Sequence, residues 1–133
     1  MEKKKLAGCA ILQGNHILLL HRISKDEYEL PGGKIDSGET PEETAVRELK
    51  EELLCDVNII RRLGSKDFEQ NGFVMTYYWF LARIQDGQKP ELGELEKFSH
   101  YQYIPLDELG QYKLSFNMQN LLRMIQEKKI TFD

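Results

Sequence analysis

Residues 31–55 read PGGKIDSGETPEETAVRELKEELLC, with seven acidic side chains between Asp36 and Glu52. Three of them, Glu48, Glu51 and Glu52, fall at helical spacings. At about 100° per residue those three project into one arc, so their charges converge. Carboxylates crowded in this way repel one another, and a divalent cation among them removes the repulsion. Oxygen donors at this charge density favour Mg²⁺, or Mn²⁺, over zinc.

The flanking residues predict a loop leading into a helix. Thr40 reads as the N-cap, Pro41 as the first helical residue and Glu43 as the capping-box glutamate, so the helix starts near Pro41. Ala45, Leu49 and Leu53, with Val46 beside them, form an apolar stripe that must bury against another element. The carboxylate arc borders this stripe, which puts the glutamates at the rim of a packed surface. Glu43 and Lys50 point away from the arc and read as a solvated face. Before the helix, Pro31-Gly32-Gly33 and Ser37-Gly38 mark sharp turns where a ligand or ion approaches the backbone closely. A carbonyl of Gly32 or Gly33 is a candidate further oxygen ligand.

Gly33, Glu39, Arg47, Glu48, Leu49, Glu51 and Glu52 stand in the register of a known signature: the segment resembles the Nudix box. Glu29-Leu30-Pro31-Gly32-Gly33-Lys34-Ile35 and Gly38-Glu39-Thr40-Pro41-Glu42 are similar to the small MutT-like nucleoside triphosphate pyrophosphohydrolases. The resemblance covers nearly the whole chain and implies an α/β (α+β) fold, the Nudix-like α/β/α sandwich with a mixed β-sheet between helices. One position departs from it: Leu54 stands where the box usually has a glycine that ends the helix in a left-handed conformation. A different helix exit is therefore expected.

The resemblance implies Mg²⁺-dependent hydrolysis of a phosphoanhydride, with Arg47, Glu48, Glu51 and Glu52 as the catalytic set. Bound metal neutralises polyphosphate charge and makes water nucleophilic near neutral pH. Glu51 and Glu52 are the primary metal ligands expected. Glu48, oriented by Arg47, is either the proton acceptor for water or a ligand to a second metal. Glu39 is expected to support the loop. A later loop usually adds a carboxylate, and Glu96 is favoured here, followed by Glu94, with Glu91 the remaining candidate. Asn117 matches the place of an asparagine that reads a purine, an amide being able to donate and accept at once; a helix-cap role is the competing reading. Leu30, Gly33, Lys34 and Arg22 complete the substrate-binding candidates, although Lys34 and Arg22 read equally well as solvent-facing cations. Phe73, Tyr77, Tyr78, Trp79 and Phe80 offer stacking rings, of which one alternate face can meet a ligand.

The implied reaction releases a nucleoside monophosphate and pyrophosphate from a nucleoside triphosphate, oxidised guanine nucleotides included. Two alternatives stay open. One is a hydrolase of nucleotide conjugates such as ADP-ribose, dinucleoside polyphosphates or nucleotide sugars. The other is a non-catalytic nucleotide-binding module, against which the intact Arg47, Glu48, Glu51, Glu52 set argues.

The rest of the chain sets bounds. Its 133 residues fit one domain, residues 1–133, without a linker or repeat. A net charge of −4 disfavours nucleic-acid partners and suits a small nucleotide substrate reached through cations. The opening MEKKKLAGCAIL has an apolar run too short for a membrane span, so neither a leader nor an anchor is expected. Cys9 and Cys55 read as reduced, packed thiols of a cytoplasmic protein. Monomer and homodimer are equally compatible with these features. Expected strands run from Leu6 to Leu12, His16 to Arg22, Tyr28 to Leu30, Val57 to Phe68, Phe73 to Ile84 and Tyr101 to Ile104. A polar loop covers Gln85 to Gly93, a short helix starts at Leu106 and a last helix spans Ser115 to Lys128.

Overall fold

The computed structural model describes residues 2–133. Its elements run β1 (Glu2–Gln13), β2 (His16–Arg22), β3 (Glu27–Glu29), β4 (Gly32–Lys34), α1 (Pro41–Leu53), β5 (Val57–Gln70), β6 (Phe73–Ile84) and β7 (Phe98–Pro105). A 3₁₀ turn over Leu106–Gln111 and helix α2 (Phe116–Gln126) follow. Strands β2 and β6 match the sequence expectation residue for residue. β5 runs two residues longer, β7 starts earlier, and α2 is one turn shorter than the apolar pattern suggested.

Alternation explains the layers. In β6, Tyr77 and Trp79 enter one core while Phe80 and Ala82 enter another. In β2, Ile17 and Leu19 side with the first pair, and Leu18 and Leu20 with the second. A strand that is apolar on both faces needs cover on both. Ala45, Leu49 and Leu53 of α1 supply it on one side; Met118 and Leu121 of α2 supply it on the other. The result is the expected sandwich of helix, mixed sheet and helix. β1 lies parallel to β6 and antiparallel to β4, and β5 pairs antiparallel with β6. β2 is flanked antiparallel by β3 and β7 and joins β1 at Leu12↔Ile17 and Gln13↔His16. Gly14, at φ 60, makes that two-residue hairpin turn possible.

Two expectations are corrected. Gly32 and Gly33 are part of a strand as well as a bend, pairing with Gly8 and Ala7 of β1. The pairing is non-local and the residues lack side chains, so no periodicity announces it. A β-carbon at Gly32 would collide with the Ala7 carbonyl. The second correction concerns the helix exit. Leu54 itself takes the left-handed conformation, φ 49 and ψ 36, and its N–H donates to the Lys50 carbonyl at 3.1 Å. The usual exit is kept with a residue that resists it.

Cys9 and Cys55 are both free and buried in the α1-side core, and burial pushes the Cys9 thiol up to about 12. Among the described residues no helix is long and apolar enough to cross a membrane.

Candidate active site

Helix α1 begins as the sequence dictates. The Thr40 hydroxyl accepts from the Glu43 N–H at 3.1 Å and the Glu43 carboxylate accepts from the Thr40 N–H at 2.9 Å, a reciprocal capping box. With its apolar stripe buried, the helix is held in one rotation, and that rotation aims Glu48 and Glu52 at β4. Glu52 is buried, 3% exposed, and its Oε1 accepts from the Gly32 N–H at 2.8 Å. The Glu48 carboxylate lies against Gly33, filling the space a β-carbon would need.

Arg47 organises the approach to the helix. Its Nε and Nη2 donate to the two Glu39 oxygens at 2.8 and 3.0 Å, and Nη2 also donates to the Lys34 carbonyl at 3.1 Å. Nη1 reaches Glu48 Oε1 at 3.3 Å and Glu51 Oε1 at 3.1 Å. Glu39 additionally accepts from the Asp36 N–H and the Thr44 hydroxyl. These bonds, the Arg47 pair first among them, hold the Glu39 carboxyl down at about 2. Glu39 thus serves as the loop's anchor.

Electrostatics separate the three glutamates. Burial, then the neighbouring Glu48 charge, pushes the Glu52 carboxyl well above the ordinary carboxylate range. Burial also raises Glu48, against the pull of Arg47. Glu51 is exposed and turned to Arg47. The expected convergence of all three is therefore only partial: among the described residues no three acidic, histidine or cysteine side chains gather closely enough to hold an ion as they stand. The Arg47 fork draws Glu51 outward while Gly32 draws Glu52 inward.

The later loop turns a different acid inward from the one favoured by sequence. Glu91 N–H donates to the Leu53 carbonyl at 2.8 Å and Gly93 N–H to the Glu52 carbonyl at 2.9 Å, capping free carbonyls at the end of α1. Gly93 lies against the Glu51 carbonyl, where a β-carbon would clash. So docked, the loop leaves Glu96 exposed and brings half-buried Glu94 close enough for its charge to act on both Glu48 and Glu52. Glu91 is exposed as well.

A cavity of about 330 Å³ opens beside Gly32 and Gly33. Arg22, Glu29, Leu30, Tyr77 and Asn117 line it. Asn117 is the second residue of α2, and the N-cap is Ser115, whose hydroxyl accepts from the Met118 N–H at 3.2 Å. The cap reading of Asn117 is thereby removed. Its side-chain oxygen is buried without a hydrogen-bond partner among the described residues. Arg22 is spoken for: it donates to both Glu29 oxygens, at 2.5 and 2.9 Å, and stacks on Phe98. Lys34 is exposed and its side chain lies off the cavity lining. Glu29 was missed as a site residue, although it directly precedes the Leu30-Pro31-Gly32-Gly33 motif and pairs across strands with Leu20. Tyr77 is the β6 ring that reaches the cavity, set on that face by alternation with Tyr78.

Comparison with known proteins decides the family. The NUDIX domain model matches residues 3–125. The chain belongs to the Nudix family. It is 41% identical over 103 residues to the 8-oxo-dGTP diphosphatase of Escherichia coli, covering 71% of this chain and 80% of that one. It is 30% identical over 105 residues to an RNA pyrophosphohydrolase of Nitratiruptor, covering 68% of this chain and 66% of the relative. A crystal structure of a MutT NUDIX hydrolase from Burkholderia pseudomallei superposes with a TM-score of 0.82 at 26% identity, over 92% of this chain and 98% of that one. This Nudix hydrolase therefore carries its family's box on a matching fold.

Proposed function

We infer that this Nudix hydrolase cleaves a purine nucleoside triphosphate to the monophosphate and pyrophosphate, in the manner of the 8-oxo-dGTP diphosphatases it resembles. The observation that carries this reading is the orphaned Asn117 amide oxygen in a cavity also lined by Gly32 and Gly33. A buried acceptor without a donor is destabilising until a ligand supplies one. A purine edge has N–H donors to offer, and an amide can answer its acceptor as well. The cavity is at the small end of the range of about 300–1,000 Å³ typical of ligand pockets, which suits one nucleoside better than two.

The donor set fits Mg²⁺, with Mn²⁺ as the substitute. Glu52 is buried with a backbone N–H for a partner and no ion pair among the described residues, beside a second carboxylate at Glu48. A divalent cation is the counter-charge that such a pair lacks. Glu52 and Glu94 would hold it, with Glu51 joining if released from Arg47, and the Gly32 carbonyl is a further oxygen donor. When bound, the ion neutralises phosphate charge and lowers the pKa of water. Glu48, raised by burial and directed by Arg47, is the group to take the proton from the attacking water. Arg47 acts by positioning, and the Glu29–Arg22 pair walls the cavity.

The test is a panel of nucleotides with Mg²⁺, scored for pyrophosphate against orthophosphate and monophosphate release, run with wild type and Asn117→Ala. Purine triphosphates should give pyrophosphate. The variant should lose discrimination between guanine and oxidised guanine triphosphates by roughly tenfold or more, the worth of one or two buried hydrogen bonds, while keeping its metal requirement. Orthophosphate as the main product, or preference for ADP-ribose or dinucleoside polyphosphates, would overturn the reading.

A further inference from the structure

Strands β2 and β7 carry a polar cluster for which hydrolysis has no use. His21 and His100 are direct cross-strand partners. One step along, Arg22 pairs with Phe98, so Ser99 is an extra residue in β7, a β-bulge. The bulge turns the Ser99 hydroxyl between the two imidazoles, with Oγ 2.6 Å from His21 Nδ1 and 2.9 Å from His100 Nδ1. The rings lie 4.9 Å apart between centroids, their planes 10° from parallel. The far nitrogens are held from behind. His21 Nε2 meets Asp26 Oδ1 at 2.7 Å, and His100 Nε2 meets the Tyr28 hydroxyl at 3.0 Å. That hydroxyl in turn donates to Gln102 Oε1 at 3.2 Å.

With both rings neutral, one arrangement of protons in this network leaves a lone pair on each Nδ1. An ionised Asp26 can only accept, so His21 Nε2 carries the hydrogen and Nδ1 presents a lone pair. Tyr28 has one hydroxyl proton. With it committed to Gln102, the phenol oxygen accepts from His100 Nε2, and His100 Nδ1 presents a lone pair too. Ser99 has a single proton and cannot satisfy both. In that arrangement both Nδ1 lone pairs belong to atoms within hydrogen-bond distance of the Ser99 oxygen, and each ring is fixed by an oxygen on its opposite nitrogen. Metal-bound imidazoles are supported in this way, by a carboxylate or another oxygen on the second ring nitrogen.

We propose that His21 and His100 bind a first-row transition-metal ion, Zn²⁺ in the first instance, through their Nδ1 atoms, with solvent completing the coordination. Imidazole nitrogen suits Zn²⁺, Cu²⁺ and Ni²⁺, whereas Mg²⁺ prefers oxygen. The ion takes the position the Ser99 hydroxyl holds between the rings. His21 is largely buried, its side chain 15% exposed, while His100 is exposed. A tilt of the freer His100 ring then brings both nitrogens to the bonding distance of about 2.0–2.1 Å. The donors are distinct from the α1 glutamates, and the site stands independently of the substrate reading above.

The experiment is calorimetric titration of Zn²⁺ into the chain without a polyhistidine tag, in excess Mg²⁺, alongside proton NMR of the histidine rings. Zn²⁺ should shift the His21 and His100 ring signals and leave those of His16 unmoved. His100→Ala should weaken that binding at least tenfold, and Asp26→Asn by about 10–100-fold through the lost support, both with circular dichroism and nucleotide hydrolysis unchanged. Should His21→Ala fail to fold, His100→Ala on the exposed side decides. Unmoved His21 and His100 signals at millimolar Zn²⁺, or equal affinity in folded His100→Ala, would overturn the proposal.

Discussion

The Glu48 carboxylate occupies the space over Gly33 in which any other residue would carry its β-carbon. The obstacle is the far end of a flexible side chain, so Gly33→Ala can be accommodated by moving Glu48 and should fold. The move displaces the proposed proton acceptor by about an ångström, and misplacement on that scale lowers turnover about a hundredfold. Steady-state kinetics with a thermal melt check the pairing of lost rate and kept stability; a full rate would show that Glu48 works from another position.

Glu52→Gln tests the buried carboxylate. Its amide oxygen can keep the Gly32 N–H bond while removing a charge that burial and Glu48 both disfavour. The metal-free variant should melt no lower than wild type, and hydrolysis should fall by a hundredfold or more. Mg²⁺ should raise the melting temperature of wild type, since an ion that binds only the folded state stabilises it, and leave the variant unmoved. An equal Mg²⁺ shift in both would remove Glu52 from the metal set.

Glu39 supplies a pH signature. Its folded value is lowered to about 2 from an ordinary 4.5, chiefly by the Arg47 hydrogen bonds. The stability tied to this shift is fully present above pH 4.5 and is lost as pH falls toward 2, because the unfolded chain takes up the proton first. Thermal melts of wild type should therefore decline across that window, and those of Glu39→Gln should decline less. Parallel curves would mean that the Arg47–Glu39 pair is screened by solvent.

How far the site could be read from sequence follows from how local each feature is. The capping box, the α1 stripe and the Arg47 position lie within one helix, and local spacing revealed them. The inward turn of Glu94 depends on backbone bonds between Glu91 or Gly93 and the end of α1, some 40 residues earlier, so no pattern in PELGELEKF distinguished it from Glu96. Strand β4 was hidden for the same reason, its partner being β1. The His21–Ser99–His100 cluster needed both a cross-strand pairing and a bulge, neither of which leaves a period in the chain. Glu51 faces Arg47 rather than Glu52 because helical phase gives direction but not the competition of Arg47 for its carboxylate.

Leu54 offers a prediction about stability alone. It holds a left-handed conformation at the end of α1, φ 49, and the residue is 48% exposed. That conformation costs an L-residue with a β-carbon about 1–2 kcal/mol, a strain that glycine does not feel. Glycine adds unfolded-chain entropy worth roughly 0.5–1 kcal/mol in the opposite direction, and the half-exposed leucine side chain gives up limited burial. Leu54→Gly should thus stabilise the fold by about 0.5 kcal/mol, raising the melting temperature by roughly 2 °C. Nucleotide hydrolysis should be unchanged, because the Lys50 carbonyl still receives the residue 54 N–H and the Gly93 N–H still caps Glu52. A lowered melting temperature would show that the contact of the Leu54 side chain with the Gly93 loop outweighs the strain at its backbone.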